Sequence, residues 1–123
     1  MFYLLEDNRI IKNSEKFSHI FCYENRKGLL YKVFSDKNYG KNRKIGKIKK
    51  QSENVFDLIE NGDLLKYKDR FDKKVYVEIV KEVIVELKLI RATPNVIKYD
   101  EIVSFYKPNS NGDYVKVWET KNE

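Results

Sequence analysis

The chain has 123 residues, of which 41% are hydrophobic and 36% charged, and its formal net charge is +6. A chain of this length can bury enough surface to fold as one domain without a disulfide or a metal. Nine Tyr and seven Phe make it too aromatic for a disordered protein. No apolar run approaches the roughly 18 residues of a membrane span, and one cysteine excludes an internal disulfide. We therefore expect a cytoplasmic protein with no membrane partner.

Two β-hairpins are predicted near the N-terminus. The first joins apolar runs at 2–5 and 10–11 through four residues that include Asp and Asn, which are typical of tight turns. The second joins aromatic and β-branched runs at 19–24 and 29–35 through a turn that ends in Gly.

Residues 37–44 are polar and basic and predict a loop. Within a single domain of 123 residues, this loop separates an N-terminal hairpin lobe (1–36) from the main β-sheet unit (45–123).

The main unit opens with a strand at 45–50, although Ile45 and Ile48 break its strict alternation of apolar and basic residues. One short helix is predicted near 53–60. Ser52 can cap it, apolar residues recur at helical spacing, and an Asn-Gly pair follows.

The rest of the chain is predicted to be mostly strand. Runs at 64–71 and 75–80 flank a polar turn and indicate a hairpin. From 75 to 90 the apolar residues fall mostly at alternate positions, with a bulge or tight turn at Lys81-Glu82, and the abundance of Val favours strands. A helix also fits this segment, with its apolar face at Val75, Ile79, Val83, Leu87 and Ile90.

The C-terminal part predicts a last hairpin, with strands at 96–106 and 113–119 around an Asn-Gly turn. The fold class that follows is mainly β: an antiparallel sheet or small open barrel with one short helix and an N-terminal hairpin lobe.

Catalytic groups are sparse in the sequence. His19 and Cys22 are the only residues of their types, and their spacing puts them on opposite faces of a strand, which disfavours a nucleophilic Cys–His pair. Two such residues are too few for a structural zinc site. The segment 40–48 departs from a phosphate-binding P-loop in its glycine spacing, and Ile48 stands where a Ser or Thr is required.

Four carboxylates remain as a candidate magnesium site. Glu53, Asp57 and Glu60 fall on one stripe of the predicted helix, and Asp63 lies just beyond. A solvated polar face explains the same pattern and is favoured, because no partner for general base catalysis is evident. We therefore predict that the protein is not an enzyme and needs no metal or cofactor.

The segment 37–50 is the most asymmetric part of the sequence, with seven positive charges and no negative one. These charges could follow a phosphate backbone while an aromatic ring stacks on a base, or they could grip an acidic groove on a protein. A solvated loop with an edge strand protected by lysines is the third interpretation. The candidate binding residues are Lys37, Tyr39, Lys41, Arg43, Lys44, Lys47, Lys49 and Lys50.

Three segments carry a resemblance to known proteins. The opening at 3–11, the helix and turn at 52–65 and the hairpin at 106–119 resemble small phage and prophage accessory proteins of A+T-rich bacteria, a group that includes anti-CRISPR proteins. The composition agrees with an A+T-rich genome, with 20 Lys against 5 Arg and a single Ala. The same bias raises the lysine count, so the net charge alone is weaker evidence for nucleic acid than a basic patch would be.

The resemblance implies a non-enzymatic inhibitor in the cytoplasm of a bacterial host. Such an inhibitor would bind an RNA-guided CRISPR effector nuclease, or its guide RNA, and block guide or target binding. Tyr39 and Arg43 would anchor the contact, since aromatic residues and Arg dominate interfaces. Two other classes stay open: a stand-alone nucleic-acid-binding protein, and a phage structural or assembly module that self-associates.

Overall fold

The computed structural model describes residues 1–12, 20–24, 26–34 and 43–120, with the backbone alone at 20–24, 31–34 and 43. Within these residues the chain forms twelve β-strands and three 3₁₀ turns. Every strand pairing among them is antiparallel. The predicted mainly β, antiparallel class is thus confirmed. No helix in this part of the chain is long and apolar enough to cross a membrane.

The first of two compact units, Met1–Asn54, contains a five-stranded sheet. Its strands in chain order are β1 (Phe2–Leu5), β2 (Ile10–Lys12), β3 (Ile20–Glu24), β4 (Leu29–Phe34) and β5 (Arg43–Ser52). Their order across the sheet is β2-β1-β5-β4-β3. Both predicted N-terminal hairpins are confirmed, as the β1–β2 and β3–β4 pairs.

Strand β5 lies at the centre of this sheet and pairs with both β1 and β4, so the expectation of an edge strand in the basic segment is wrong. The strand predicted at 45–50 is confirmed, and it is longer than expected. Of the predicted loop at 37–44, residues 37–42 lie outside the described residues. Arg43 and Lys44 belong to β5 instead, because pairing with β4 gives their backbone the ladder partners that a loop would lack.

The helix predicted near 53–60 is a single 3₁₀ turn, Val55–Leu58. An α-helix would continue through a hydrogen bond from the Glu60 amide to a carbonyl four residues earlier. That amide instead donates to the Asp63 carboxylate at 2.8 Å, and the Ile59 amide makes the tighter bond to the Phe56 carbonyl at 3.2 Å. The two-turn helix is therefore wrong, because a side chain further along the sequence captures the donor that would extend it.

The second unit, Val55–Glu123, contains a four-stranded and a three-stranded sheet. The larger sheet has the order β12-β11-β6-β7, and the smaller has the order β10-β9-β8. The strands in chain order are β6 (Leu64–Lys68), β7 (Val75–Ile79), β8 (Glu82–Ile84), β9 (Leu89–Ala92), β10 (Asn95–Lys98), β11 (Ile102–Pro108) and β12 (Tyr114–Glu119). No sheet closes on itself within the described residues, so the sheet alternative holds over the small barrel.

The predicted β6–β7 and β11–β12 hairpins are confirmed. Segment 75–90 consists of strands, as preferred over a helix, with one 3₁₀ turn at Val85–Leu87. The predicted strand at 96–106 is wrong in its middle, where a third 3₁₀ turn, Tyr99–Glu101, separates β10 from β11. The Glu101 carboxylate accepts the Lys98 amide at 2.8 Å, so the chain turns and passes from one sheet to the other.

The core of the second unit is formed by both of its sheets and the first 3₁₀ turn. Aromatic rings connect them: the Phe56 ring centroid lies 5.4 Å from that of Tyr99 and 4.9 Å from that of Trp118. Phe56 and Trp118 are partly buried, and the fully buried apolar residues of this unit include Leu58, Ile59, Leu65, Ile90, Ile97 and Phe105. Truncating one such Leu or Ile to Ala costs about 2–5 kcal/mol, so this packing dominates the stability of the unit.

Candidate nucleic-acid interface

Positive charge is concentrated in the first unit. Residues 1–54 carry 13 Lys and Arg against six Asp and Glu, which is a formal net charge of +7. Residues 55–123 carry 12 against 13, a net charge of −1. The whole positive excess of the chain therefore belongs to the unit that contains β5.

Two β-bulges in β5 place three of its lysines on one face of the sheet. In the pairing with β4 the register shifts at Ile45, which has no residue opposite it on β4. In the pairing with β1 the register shifts at Lys49, which has no residue opposite it on β1. Residues three apart in a regular strand point to opposite faces, but each inserted residue reverses that alternation. The lysines that share one face as a result, called the basic row below, are Lys44, Lys47 and Lys50.

The opposite face of β5 is apolar. Ile45 and Ile48 pack against the buried core of the first unit, which consists of Tyr3, Leu5 and Leu30. The two isoleucines break strict alternation in the sequence because the bulges give this strand a local period of three. The broken alternation at Ile45 and Ile48 weakens the strand prediction. It also puts these two residues on the face opposite the basic row.

Gly46 allows a close approach at the first bulge. A Cβ atom at this position would lie 3.2 Å from Leu5 Cδ1 and 3.4 Å from Arg9 Nη2. The Arg9 guanidinium donates from Nη2 to the Ile45 carbonyl at 2.7 Å and from Nε to the Asp7 carboxylate at 2.8 Å. Gly46 thus makes room for Leu5 and Arg9, and it lies in a strand instead of a phosphate-binding loop.

The basic row is exposed to solvent. Lys47 Nζ lies 3.9 Å from Glu6 Oε1, and both side chains are 59% exposed, so this pair is weak. Lys44 and Lys50 have no carboxylate partner among the described residues. Leu4, directly opposite Lys50, is fully buried, so the open part of this face ends there.

Only part of the predicted binding segment can be placed. Lys37, Tyr39 and Lys41 lie outside the described residues, and Arg43 is described by its backbone in β5. Lys49 is exposed at the second bulge, beside the basic row. The anchoring role of the tyrosine and the arginine therefore stays a prediction.

The candidate magnesium carboxylates do not form one cluster. Glu53 lies 3.3 Å from the N-terminal amine, and the Asp57 carboxylate accepts the Tyr99 hydroxyl at 2.9 Å. Glu60 and Asp63 do come together, but a lysine ammonium lies between them where a metal would bind. In the part of the chain that the structure describes, no group of three or more His, Cys, Asp or Glu side chains is placed to hold a metal ion.

That lysine is Lys107 on β11, whose side chain is completely buried. Its ammonium donates to Asp63 Oδ2 at 2.6 Å and to Glu60 Oε1 at 3.1 Å. Burial raises the pKa of Asp63, and the charge of Lys107 partly offsets that rise. Sequence reasoning missed this ion pair, although Lys107 follows buried Phe105 by two positions and so points to the same face.

The structure does not test the remaining catalytic candidates, His19 and Cys22. His19 lies outside the described residues, and the backbone of Cys22 pairs opposite Lys32 in the β3–β4 hairpin. Comparison of the chain with protein-family models, with curated proteins and with solved structures gives no match in any of the three. The function must therefore be inferred from the geometry and charge of the two units.

Proposed function

We propose that the protein is a non-enzymatic binding protein whose first unit contacts nucleic-acid phosphates through the basic row. The observation that carries this proposal is the pair of bulges that brings Lys44, Lys47 and Lys50 onto one exposed face. The concentration of the positive excess in the same unit supports it. The row also leaves its lysines available, because the only carboxylate near any of them, within the described residues, is the weakly paired Glu6.

The chemistry of the row favours backbone contacts over base reading. Lysine ammoniums bind phosphates as point charges, which gives affinity without sequence preference. Three contacts to a single strand give a slope of about −2 for log K against log salt, so binding weakens roughly 20-fold between 50 and 200 mM salt. Tyr39 and Arg43, if they anchor the contact as the sequence predicts, would add base stacking.

The more specific form of the proposal comes from the resemblance to phage accessory proteins. In this form the chain is a phage-encoded inhibitor that binds an RNA-guided CRISPR effector in the cytoplasm of the bacterial host. The basic row would lie against the guide RNA, the target strand or an acidic face of the effector. Inhibition would result from occupying a channel that nucleic acid needs, which requires no catalytic group.

Direct binding can be tested by fluorescence anisotropy with a labelled single-stranded RNA of about 20 nucleotides, titrated at several salt concentrations. The test variant is Lys44→Glu/Lys47→Glu/Lys50→Glu. The control variant has the same charge change in the second unit, at the exposed lysines Lys74, Lys81 and Lys98. We expect the test variant to lose binding and the control to retain it. Equal binding by both variants would contradict the proposal.

The partner can be tested by a tagged pull-down from lysate that contains CRISPR effectors, with and without nuclease treatment. Recovery of one effector after nuclease treatment supports a protein-directed inhibitor. Recovery that nuclease abolishes indicates that RNA or DNA carries the contact. Recovery of virion components and no effector would replace the inhibitor proposal with the assembly-module interpretation.

A further inference from the structure

Strand β7 forms one edge of the four-stranded sheet, and within the described residues it pairs with β6 alone. Beyond the two ends of β7, the Lys74 carbonyl accepts the Asp69 amide and the Val80 amide donates to the Asp63 carbonyl. Backbone groups in an antiparallel strand alternate between the two neighbouring sides. Val75, Val77 and Ile79 lie between these two hydrogen bonds. Their backbone amides and carbonyls therefore point away from β6.

The same three residues carry apolar side chains that are exposed by 50%, 53% and 39%. Natural proteins usually protect such an edge with inward charges, Pro or a covering segment, because it is a template for another strand. The strand is also held in place from its other face. Glu78 accepts hydrogen bonds from the Tyr67 hydroxyl at 2.7 Å and from the Asn95 side-chain amide at 3.0 Å. These bonds hold β7 in place without a partner strand.

A basic groove of about 830 Å³ adjoins this edge. Its lining includes Val75 on β7 and, on neighbouring elements, Lys66, Lys68 and Lys73. Lys66 and Lys68 lie directly opposite Val77 and Val75, so their side chains stand on the same face of the sheet.

The lining carries four basic side chains, Lys66, Lys68, Arg70 and Lys73, against the three carboxylates Asp69, Asp100 and Glu101, so its formal charge is +1. Asp69 accepts the backbone amides of Phe71 and Asp72, and Glu101 accepts the Arg70 backbone amide and guanidinium. The three groove lysines have no carboxylate partner in the described part of the chain. The groove therefore offers ammonium groups to a ligand that brings negative charge.

We propose that β7 is a docking edge for an extended, acidic segment of another protein, which adds to the sheet as a fifth strand. Main-chain hydrogen bonds to Val75, Val77 and Ile79 would provide the affinity. Neighbouring strands lie about 4.8 Å apart, so partner side chains opposite Val75 project beside the groove. Asp or Glu at that position and two residues further along the partner strand would contact Lys68 and Lys73.

A second copy of this chain does not fit the edge. Only one antiparallel register pairs Val75, Val77 and Ile79 of one copy with the same three residues of the other. In this register Val77 lies opposite Val77 and Ile79 lies opposite Val75, so a second copy brings no carboxylate to the groove lysines. Charge complementarity therefore favours a different, acidic partner.

The probe for this proposal is a fluorescein-labelled peptide, Thr-Val-Thr-Val-Thr-Glu-Thr-Glu-Thr, with blocked termini, measured by anisotropy with the full-length protein. One comparison peptide has both Glu replaced by Lys, and another carries N-methyl groups on the Val amides that would face β7. The protein variants are Lys68→Glu and, as a control of equal charge change outside the groove, Lys98→Glu.

We expect the acidic peptide to bind and N-methylation to weaken it about tenfold or more, since each lost hydrogen bond removes a severalfold contribution. Lys68→Glu should weaken binding about two- to fivefold, and Lys98→Glu should not. Bound peptide should also slow hydrogen exchange at the Val75, Val77 and Ile79 amides. Absence of binding, equal binding of the Lys-containing peptide, or a protein dimer that Val77→Pro abolishes would each overturn the proposal.

Discussion

Replacing Lys107 with methionine tests the buried ion pair of the second unit. Methionine keeps most of the aliphatic chain but removes the ammonium, and it leaves Asp63, whose side chain is only 4% exposed, with an uncompensated charge. Removing one partner of a buried pair costs about 3–5 kcal/mol. A small domain unfolds with a total free energy of roughly 5–15 kcal/mol, so we expect a large loss of stability near neutral pH.

The loss should depend on pH in a defined direction. Burial raises the pKa of Asp63 in the folded protein, and removal of Lys107 takes away the charge that partly opposes this rise. A carboxyl whose pKa is higher in the folded than in the unfolded protein stabilises the folded state at low pH. This contribution to the free energy of unfolding is lost as the pH rises through the pKa of the folded state. The loss of unfolding free energy in Lys107→Met should therefore be greatest near pH 7 and become smaller as the pH is lowered.

Urea unfolding measured by tryptophan fluorescence provides the assay. Trp118 is the only tryptophan, and it packs on Phe56 and Phe105 inside the second unit. The double variant Asp63→Asn/Lys107→Met removes both charges and should regain stability to within about 1–2 kcal/mol of the unchanged protein. The reasoning is refuted if Lys107→Met alone costs less than about 1 kcal/mol near pH 7, or if the double variant is no more stable than the single one.

Three further predictions address other parts of the molecule. Replacing the three lysines of the basic row with Gln should weaken RNA binding and lower its salt slope by about two, while Lys74→Gln/Lys81→Gln/Lys98→Gln keeps the full slope. Burial acts to raise the pKa of Glu101, but hydrogen bonds from Lys98 and Arg70 outweigh it and lower the pKa. Glu101→Gln should therefore cost about 1–3 kcal/mol near pH 7 in urea unfolding, and this cost should vanish as pH falls through the lowered pKa. Gly46→Val should destabilise the first unit by about 1–3 kcal/mol in thermal unfolding followed by far-ultraviolet circular dichroism; an unchanged Tm would show that Leu5 and Arg9 move aside freely.

The hairpins could be predicted because their signals are local. Asn8 and Gly28 take positive φ values of 71° and 78° in the turns where the sequence places them, and Gly112 does so at 85°. Each turn brings its two flanking strands together without information from elsewhere in the chain. The alternation of apolar residues then determined which strands form, including the preference for strands over a helix at 75–90.

The features that could not be predicted depend on individual side-chain hydrogen bonds. The helix near 53–60 shortens because the Asp63 carboxylate accepts the Glu60 amide, and the strand at 96–106 breaks where Glu101 accepts the Lys98 amide and the Tyr99 hydroxyl donates to Asp57. Lys107 is hydrophilic by type, and only the position of Glu60 and Asp63 in the fold makes its burial possible. In the candidate interface the sequence indicated which segment is basic, but not that two bulges align three of its lysines.

Under the function proposed above, the bulges of β5 bear on the form of nucleic acid that the basic row would bind. Each bulge increases the local right-handed twist of a strand, so lysines that share one face are rotated progressively about the strand axis. A single strand can bend from one ammonium to the next, whereas the phosphates of a duplex lie on a rigid path. We therefore expect the basic row to bind single-stranded RNA or DNA more tightly than a duplex.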